Sequence, residues 1–281
     1  MNFDPLRCGQ FNVDCDGYNN SGVVQANKDL KPERSTAYGL GLVAEPLQNV
    51  TMTLDYWEFR RRNEITFVDQ QLLIDNEGSN NPLYAGRVHR LPADTDSVPG
   101  QSIPGRITTV DQLYLNRGRT EVRGVDLTVT TRVPLAGTAP LRVNVDMTYV
   151  DRYRVQGTAD EPWQVWTGSL GFPRLRGSVN LGWSPGPWDL TATVNHLSGF
   201  ASTQADQACT GTRYLGVCDV AAYTTLDLGA AYRAGKAWTV RVSLLNATNA
   251  RMPFTPTVPT GNRYWYSAAG RQLGLSASHT F

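Results

Sequence analysis

Three histidines, four cysteines and two clusters of charged residues are where this chain's residue types and spacing could do chemistry. His89, His196 and His279 are scattered along the sequence. His89 falls in a polar stretch expected to be a solvent-exposed loop. His196 and His279 share faces with apolar neighbours near strand ends, where an interfacial imidazole is a simpler explanation than a metal ligand. No nucleophile elbow, Walker loop or H-E-x-x-H run occurs. Asp69, Asp75 and Glu77 are of the type used by glycosidases, but they stand among Asn and Gly and read as loop punctuation. No catalytic residue, no metal ligand and no cofactor is therefore expected, and the chain is read as a non-enzyme. Arg60-Arg61-Arg62 could meet phosphate groups, although a solvated strand end is the plainer expectation.

The cysteines fall into two close pairs, Cys8 with Cys15 and Cys209 with Cys218, each in a polar stretch. Each pair would close a small loop, and such usage suggests an oxidising compartment. Unpaired loop thiols remain the alternative. A zinc knuckle needs other spacing and a nearby His. The first residues, Met1 to Cys8, lack the basic start and apolar run of a secretory signal. A chain with extracytoplasmic cysteines and no such signal is expected to be the rear part of something longer.

These residues have to be positioned by elements, and composition narrows which. The 281 residues carry 26 basic and 25 acidic side chains, a formal net charge of +1. That leaves no field for nucleic acid, which needs clustered uncompensated Lys and Arg. No window approaches the roughly 20 apolar residues of a membrane helix, so a helical membrane protein is excluded. Alternation with a period of two recurs instead, over runs longer than ordinary soluble strands. Val125, Leu127, Val129 and Val133 oppose Gly124, Asp126, Thr128 and Arg132; Val143, Val145 and Met147 oppose Arg142, Asn144 and Asp146. Similar runs are Val179 to Trp183, Trp188 to Val194, Leu226 to Tyr232, Trp238 to Leu244, Tyr38 to Ala44 and Val50 to Tyr56.

A soluble sandwich would alternate too, so the connections decide. Short turns (Glu45 to Asn49, Pro134 to Pro140, Ser184 to Pro187, Ala234 to Lys236) alternate with longer ones (Asp69 to Arg106, Arg154 to Gln164, Phe200 to Ala221, Ala247 to Arg263). That rhythm gathers the tight turns at one end, as in outer-membrane barrels, where every backbone N–H in lipid must be paired by a neighbouring strand. Trp183 and Trp188 flank one tight turn, and Tyr232 and Trp238 another, while Phe172, Tyr264, Trp265 and Tyr266 lie toward the other end, as expected of rings at the boundary of hydrocarbon and water. Nine long strands are expected: Arg34 to Ala44, Val50 to Val68, Ile107 to Val133, Leu141 to Arg152, Val165 to Trp183, Trp188 to Ser198, Ala222 to Arg233, Ala237 to Leu245 and Tyr266 to Phe281. The expected fold class is all-β, an antiparallel transmembrane β-barrel of the outer-membrane type, here a partial barrel of about nine to ten strands, because an odd count cannot close antiparallel.

Four segments carry a family resemblance. Asn27-Lys28-Asp29-Leu30-Lys31-Pro32-Glu33-Arg34-Ser35 resembles the "N-x-x-L-K-P-E-x-S" run of TonB-dependent outer-membrane receptors as it enters a strand. Arg123-Gly124-Val125-Asp126-Leu127 is similar to that family's "x-G-hydrophobic-acidic-hydrophobic" strand, and Val242 to Asn249 to its penultimate-strand ending. Gly270 to Phe281 resembles the terminal strand. The likeness covers Asn27 to Phe281 and implies the C-terminal portion of a barrel, with residues 1–26 as a remnant of an extracellular loop carrying the Cys8 and Cys15 pair. It implies a location in the bacterial outer membrane, contact with outer-membrane lipid and lipopolysaccharide, and import of a scarce solute such as a ferric siderophore, cobalamin or an oligosaccharide. In the family a plug domain and a TonB box supply part of the ligand site and the energy coupling; neither is recognised within these residues, so a plug, TonB and a small-molecule ligand are partners expected of a longer receptor. Phe281 is expected to be the signal that barrel-assembly machinery reads. Arg123, Asp126, Arg132, Arg142, Asn144, Asp146, Arg174, Arg176, Asn180, Asp227 and Arg241 are expected to face a wet lumen. A secreted ligand-binding sandwich and a passive pore or adhesin are the alternatives.

Overall fold

The computed structural model describes residues 2–82, 84–157, 162–169, 171–203, 209, 218–235, 237–254, 266–267 and 269–280. The chain divides into two compact units, one made of residues 1–34, 61–119 and 157–159, the other of residues 35–60, 120–156 and 160–281.

The second, larger unit is built from the alternating segments. The strands β2 (Arg34–Leu47), β3 (Val50–Phe67), β5 (Ile107–Val133), β6 (Leu141–Gln156), β8 (Leu175–Trp183), β9 (Trp188–Leu197), β12 (Tyr223–Ala234), β13 (Trp238–Leu245) and β14 (Gln272–His279) form one sheet in the order β14-β13-β12-β9-β8-β6-β5-β3-β2. Nine long strands are thus neighbours in sequence order, and the sheet is not closed. Tight turns join them where the residues permit: Asn49 adopts φ 66 between β2 and β3, and Gly186 φ 58 between β8 and β9.

Two expected strands are shorter than alternation alone suggests. The run from Val165 breaks into β7 (Gln164–Val165), which pairs with β6, and then β8, because Gly168 and Gly171 take φ 71 and 87 just ahead of Pro173. The last strand begins at Gln272, after Gly270 at φ 65, rather than at Tyr266. A small cluster of Leu197, Phe200, Val220, Tyr223 and Tyr266 packs beside the two-stranded pairing of β10 (Phe200–Ala201) with β11 (Asp219–Val220).

Register in this unit sets like against like across neighbouring strands. Val145 pairs with Val179, Val179 with Val194, and Val194 with Leu226; Val143 pairs with Leu181, Leu181 with Ala192, Ala192 with Leu228, Leu228 with Leu244, and Leu244 with Leu273. The row is apolar and, among the described residues, uncovered. Leu40 and Leu275 are each 76% exposed, and Leu42, Leu181, Val194, Leu228, Val240, Val242 and Leu273 are also exposed. Facing water, about ten such side chains would forgo roughly 1.5–3 kcal/mol each, more in sum than the whole stability of an ordinary domain, about 5–15 kcal/mol. Hydrocarbon is the medium that suits them.

The first unit is different. It holds α1 (Pro5–Phe11), β1 (Ser21–Gln25), α2 (Gln70–Asp75), β4 (Val88–Arg90) and the outer stretches of β3 and β5. Residues expected as bare loop are therefore folded: Asp4 caps α1 by accepting from the Leu6 N–H at 3.2 Å, and Asp69 caps α2 by accepting from the Gln71 N–H at 2.8 Å. These helices are too short for a 3.6-residue period to stand out in sequence. β1 runs parallel to β5, and β4 antiparallel to it. Val68, Leu73, Ile74, Ile107 and Val110 make a compact core here.

Candidate functional site: the polar wall of the sheet

In the larger unit the side chains opposite the apolar rows form a continuous hydrogen-bonded wall. Asn144 pairs in register with Asn180, Asn180 with Thr193, and Thr193 with Asp227; Asp146 pairs with Ser178, Ser178 with Asn195, and Asn195 with Thr225. Thr130 Oγ1 donates to Asn144 Oδ1 at 2.8 Å, Thr128 Oγ1 to Asp146 Oδ1 at 3.1 Å, and Asn144 Nδ2 to Asp146. Thr193 Oγ1 donates to Asn180 Oδ1 at 2.9 Å, and Asn180 Nδ2 to Ser178 Oγ at 3.2 Å. Asn195 Nδ2 donates to Asp227 Oδ2 at 3.0 Å, whose Oδ1 accepts the Asn246 N–H at 2.7 Å. This is strand alternation made chemical: Thr, Asn, Ser and Asp recur at second residues, so most find polar partners along or across the strands.

The wall encloses a concavity of about 760 Å³ whose residues include Asp126, Asp146, Arg176, Asn195, Asp227, Tyr223 and Asn246. Asp126 Oδ1, and the hydroxyls of Tyr223 and Tyr266, are buried with no hydrogen-bond partner. An orphaned carboxylate oxygen and phenol at one wall suit a donor-bearing guest or a bridging water.

Of the residues expected on a wet lumen, Asp126, Asn144, Asp146, Arg176, Asn180 and Asp227 come together here. Arg142 donates from Nη2 to Ser184 Oγ at 3.1 Å near a tight turn, and Arg241 from Nη1 to Ser278 Oγ at 3.4 Å. Arg174 reaches the Asp151 carbonyl at 3.2 Å. Arg132 stands on the same strand face as Asp126, three steps of alternation away. Arg123 is placed otherwise: it shares its face with Val125 and Leu127 and donates from Nε to Asp151 at 2.6 Å, on the apolar side. The odd parity was readable from Arg123-Gly124-Val125, and the polar parity of Thr193 from its alternation with Ala192 and Val194; Tyr223 carried no comparable signal.

The remaining chemistry-bearing residues are dispersed. Cys8 is joined to Cys15 and Cys209 to Cys218, with Cα atoms 4.9 and 5.6 Å apart. His89 lies in β4 rather than in a loop, half exposed, 3.1 Å from Asp111. His196 meets Thr224 Oγ1 at 2.8 Å, and His279 lies 4.6 Å from the Trp238 ring. Among the described residues no group of three His, Cys, Asp or Glu is placed to hold a metal. Phe281 lies outside the described residues. Asp69 caps a helix and Glu77 accepts from Arg90, so neither is paired as glycosidase carboxylates would be.

The first unit holds a buried ion network that the sequence did not reveal. Arg90 bridges Asp4 at 2.7 Å and Glu77 at 2.6 Å, while Arg7 bridges Asp14 at 2.7 Å and Asp94 at 2.9 Å. Burial works against the Asp4 carboxylate, but hydrogen bonds from Arg90 and Tyr18 outweigh it and hold its pKa below the usual value. Hydrogen bonds from Ser97 and Arg7 hold Asp94 far below its usual range, and Arg106 and Arg7 lower Asp14.

Comparison with known proteins agrees with the architecture. The family model described as "TonB dependent receptor-like, beta-barrel" matches residues 2–247. No curated protein matches the sequence. Among solved structures, a ferric enterobactin receptor of Pseudomonas aeruginosa is 17% identical with a TM-score of 0.58, covering 92% of this chain and 32% of that one. The siderophore receptor PirA of Acinetobacter baumannii is 14% identical with a TM-score of 0.58, covering 92% of this chain and 33% of that one. The outer membrane transporter YddB of Escherichia coli is 14% identical with a TM-score of 0.58, covering 93% and 34%. This chain thus spans about a third of the length of these structures. Family and fold are those of receptors and transporters rather than of enzymes. With its two-faced sheet and a match over most of its length, the chain belongs to the TonB-dependent receptor-like β-barrel family of the outer membrane.

Proposed function

We propose that this chain, from residue 27 onward, is the C-terminal wall of an importer that takes up a scarce small molecule, with residues 1–26 part of its extracellular face. The observation that carries this is the opposition of faces: an uncovered apolar row on one side of each strand and a bonded Thr, Asn and Asp wall on the other. A soluble sandwich buries its apolar side beneath a second layer, and among the described residues none covers it. The first and last strands of the nine run in the same direction, so an antiparallel seam between them needs an odd number of further strands. A plug, TonB and ligand would act on the polar wall, and the segments 69–106 and 200–221 would assist capture, since loops on a rigid scaffold carry specificity.

A ferric siderophore is the solute favoured, because the structural neighbours are named as siderophore receptors; cobalamin or an oligosaccharide are the other solutes of this class. Uptake of radiolabelled ferric siderophores by cells expressing the full-length receptor tests this. TonB-dependent accumulation, reduced by Asp227→Ala or Asn195→Ala, is expected. Equal uptake without TonB would mean a passive pore instead. Removing Phe281 is expected to slow membrane insertion by the assembly machinery, read as loss of heat-modifiable mobility; unchanged insertion would remove that role.

A further inference from the structure

Charge singles out one part of the wet wall. The concavity of about 760 Å³ has the size of a small-molecule site, about 300–1,000 Å³. Among the described residues its lining carries the carboxylates of Asp126, Asp146 and Asp227, and Arg176 as the one Arg or Lys. Three acids against one base leave a formal excess of negative charge. The other arginines of this face do not make up the difference. Arg142 donates to Ser184 Oγ, Arg174 to the Asp151 carbonyl and Arg241 to Ser278 Oγ, and neither they nor Arg132 belong to the lining.

The hydrogen bonds that reach the acids come from neutral groups. Asp146 accepts from Thr128 Oγ1 at 3.1 Å and from Asn144 Nδ2, and Asp227 accepts from Asn195 Nδ2 at 3.0 Å and the Asn246 N–H at 2.7 Å. Such bonds satisfy lone pairs and leave the charge in place. Asp126 has less still, since its Oδ1 is buried and accepts nothing.

A second, independent feature points into the same space. Tyr223 shares the strand face of Thr225 and Asp227 and lines the concavity. It is only 9% exposed, yet its hydroxyl has no hydrogen-bond partner. The Tyr266 ring packs edge-on against it, with centroids 5.2 Å apart, and the Tyr266 hydroxyl is also orphaned. Buried polar atoms are seldom left unpaired. Water would satisfy them, but it would not answer the excess charge; a cation with N–H donors does both. The span matters too. Asp126 on β5 and Asp227 on β12 are four strand spacings apart, about 19 Å along the wall at about 4.8 Å each, so the guest is longer than an amino group.

We infer that the concavity receives a ferric chelate carrying a protonated amine, the ammonium held at the carboxylates and the body laid along the Thr, Asn and Ser wall. Asp126 and Asp227 are the specificity-determining residues: an anionic chelate meets like charge there, which the site rejects. The inference rests on the importer reading above and deepens it, because it assigns the charge class of the solute.

Equilibrium binding to the purified full-length receptor in detergent tests it with three probes: ferrioxamine B, a ferric trihydroxamate with a free ammonium; its N-acetylated derivative, which lacks only that charge; and the trianionic ferric enterobactin. Ferrioxamine B is expected to bind about fivefold or more tighter than its acetyl derivative, and ferric enterobactin weakest of the three. Asp126→Asn with Asp227→Asn, close in shape and uncharged, is expected to bring ferrioxamine B and the acetyl derivative to equal affinity. Asp189→Asn, an acid of the same face paired with Arg233 near a tight turn, is expected to leave the preference unchanged. Heat-modifiable mobility checks that each variant is folded. Equal affinity of the wild-type protein for the first two probes, tighter binding of ferric enterobactin, or a preference that survives in the folded double Asn variant would overturn the inference. So would an equal loss of all three probes in that variant, which would mean that the acids hold a basic segment of the plug, and so would binding of none. TonB-dependent uptake of a ferric siderophore, measured separately, would leave the importer reading standing in each of these cases.

Discussion

At the scale of single residues, Arg90 does the most for the smaller unit. It is nearly buried, and it answers Asp4, Glu77 and the Gly105 carbonyl together. Arg90→Ala leaves the enclosed Asp4 without its main partner, a loss of about 3–5 kcal/mol for a broken buried pair. Hydrogen exchange should show residues 2–26 and 69–106 opening in that variant; unchanged protection would mean the network is dispensable. The same network sets a pH dependence. Asp4, Asp14 and Asp94 have native pKa values below their ordinary ones. Their contribution is therefore complete above the ordinary carboxylate range, about pH 4, and is lost as the pH falls below it toward the lowered native values. Exchange in these segments, corrected for intrinsic rates, should accelerate between about pH 4 and pH 2 and stay flat from about pH 5 to 8.

At the scale of the strand, the prediction is about faces. Leu228 lies near the middle of β12 on the exposed apolar row, and Ala192 is its partner on β9. Leu228→Arg places a charge near the bilayer midplane, at a cost of about 2–4 kcal/mol. Thr193→Arg, one residue away from Ala192 but on the polar wall, should cost much less. Unfolding titrations in lipid vesicles compare the two; equal costs would mean the faces do not differ in medium. Gly124 makes a complementary point on the wall side. A Cβ there would come 2.5 Å from the Tyr149 carbonyl and 2.6 Å from the Trp57 ring, so Gly124→Val should destabilise by about 1–3 kcal/mol through overpacking.

At the scale of the molecule, the tight-turn end carries the rings. Trp188 and Tyr232 sit 4.7 Å apart, the Trp238 and His279 rings lie 4.6 Å apart at a tilt, and the Trp183 indole donates to the Ala139 carbonyl at 3.0 Å. These are amphipathic side chains at one boundary of the apolar band. Fluorescence of the full-length receptor, with Trp188 and Trp238 as the reporters, should be quenched more by lipids brominated near the headgroup than by those brominated at the chain end. Stronger quenching at the chain end would place these turns inside the hydrocarbon and remove the proposed orientation.

Much of this was legible without coordinates. Alternation, turn length and the placing of Trp183, Trp188 and Trp238 determined an antiparallel sheet with one greasy and one wet side, because a period of two assigns each residue a face before any partner is known. The run of nine neighbouring strands and most of the wall, Asn144, Asp146, Asn180 and Asp227 among them, follow from that. Tertiary structure alone decided the rest. Asp4 meets Arg90, and Arg7 meets Asp94, across more than eighty residues of chain, and no periodicity records so distant a pairing. Nor does it tell that Arg123 spends its Nε on Asp151, since that depends on the register that brings β5 and β6 side by side.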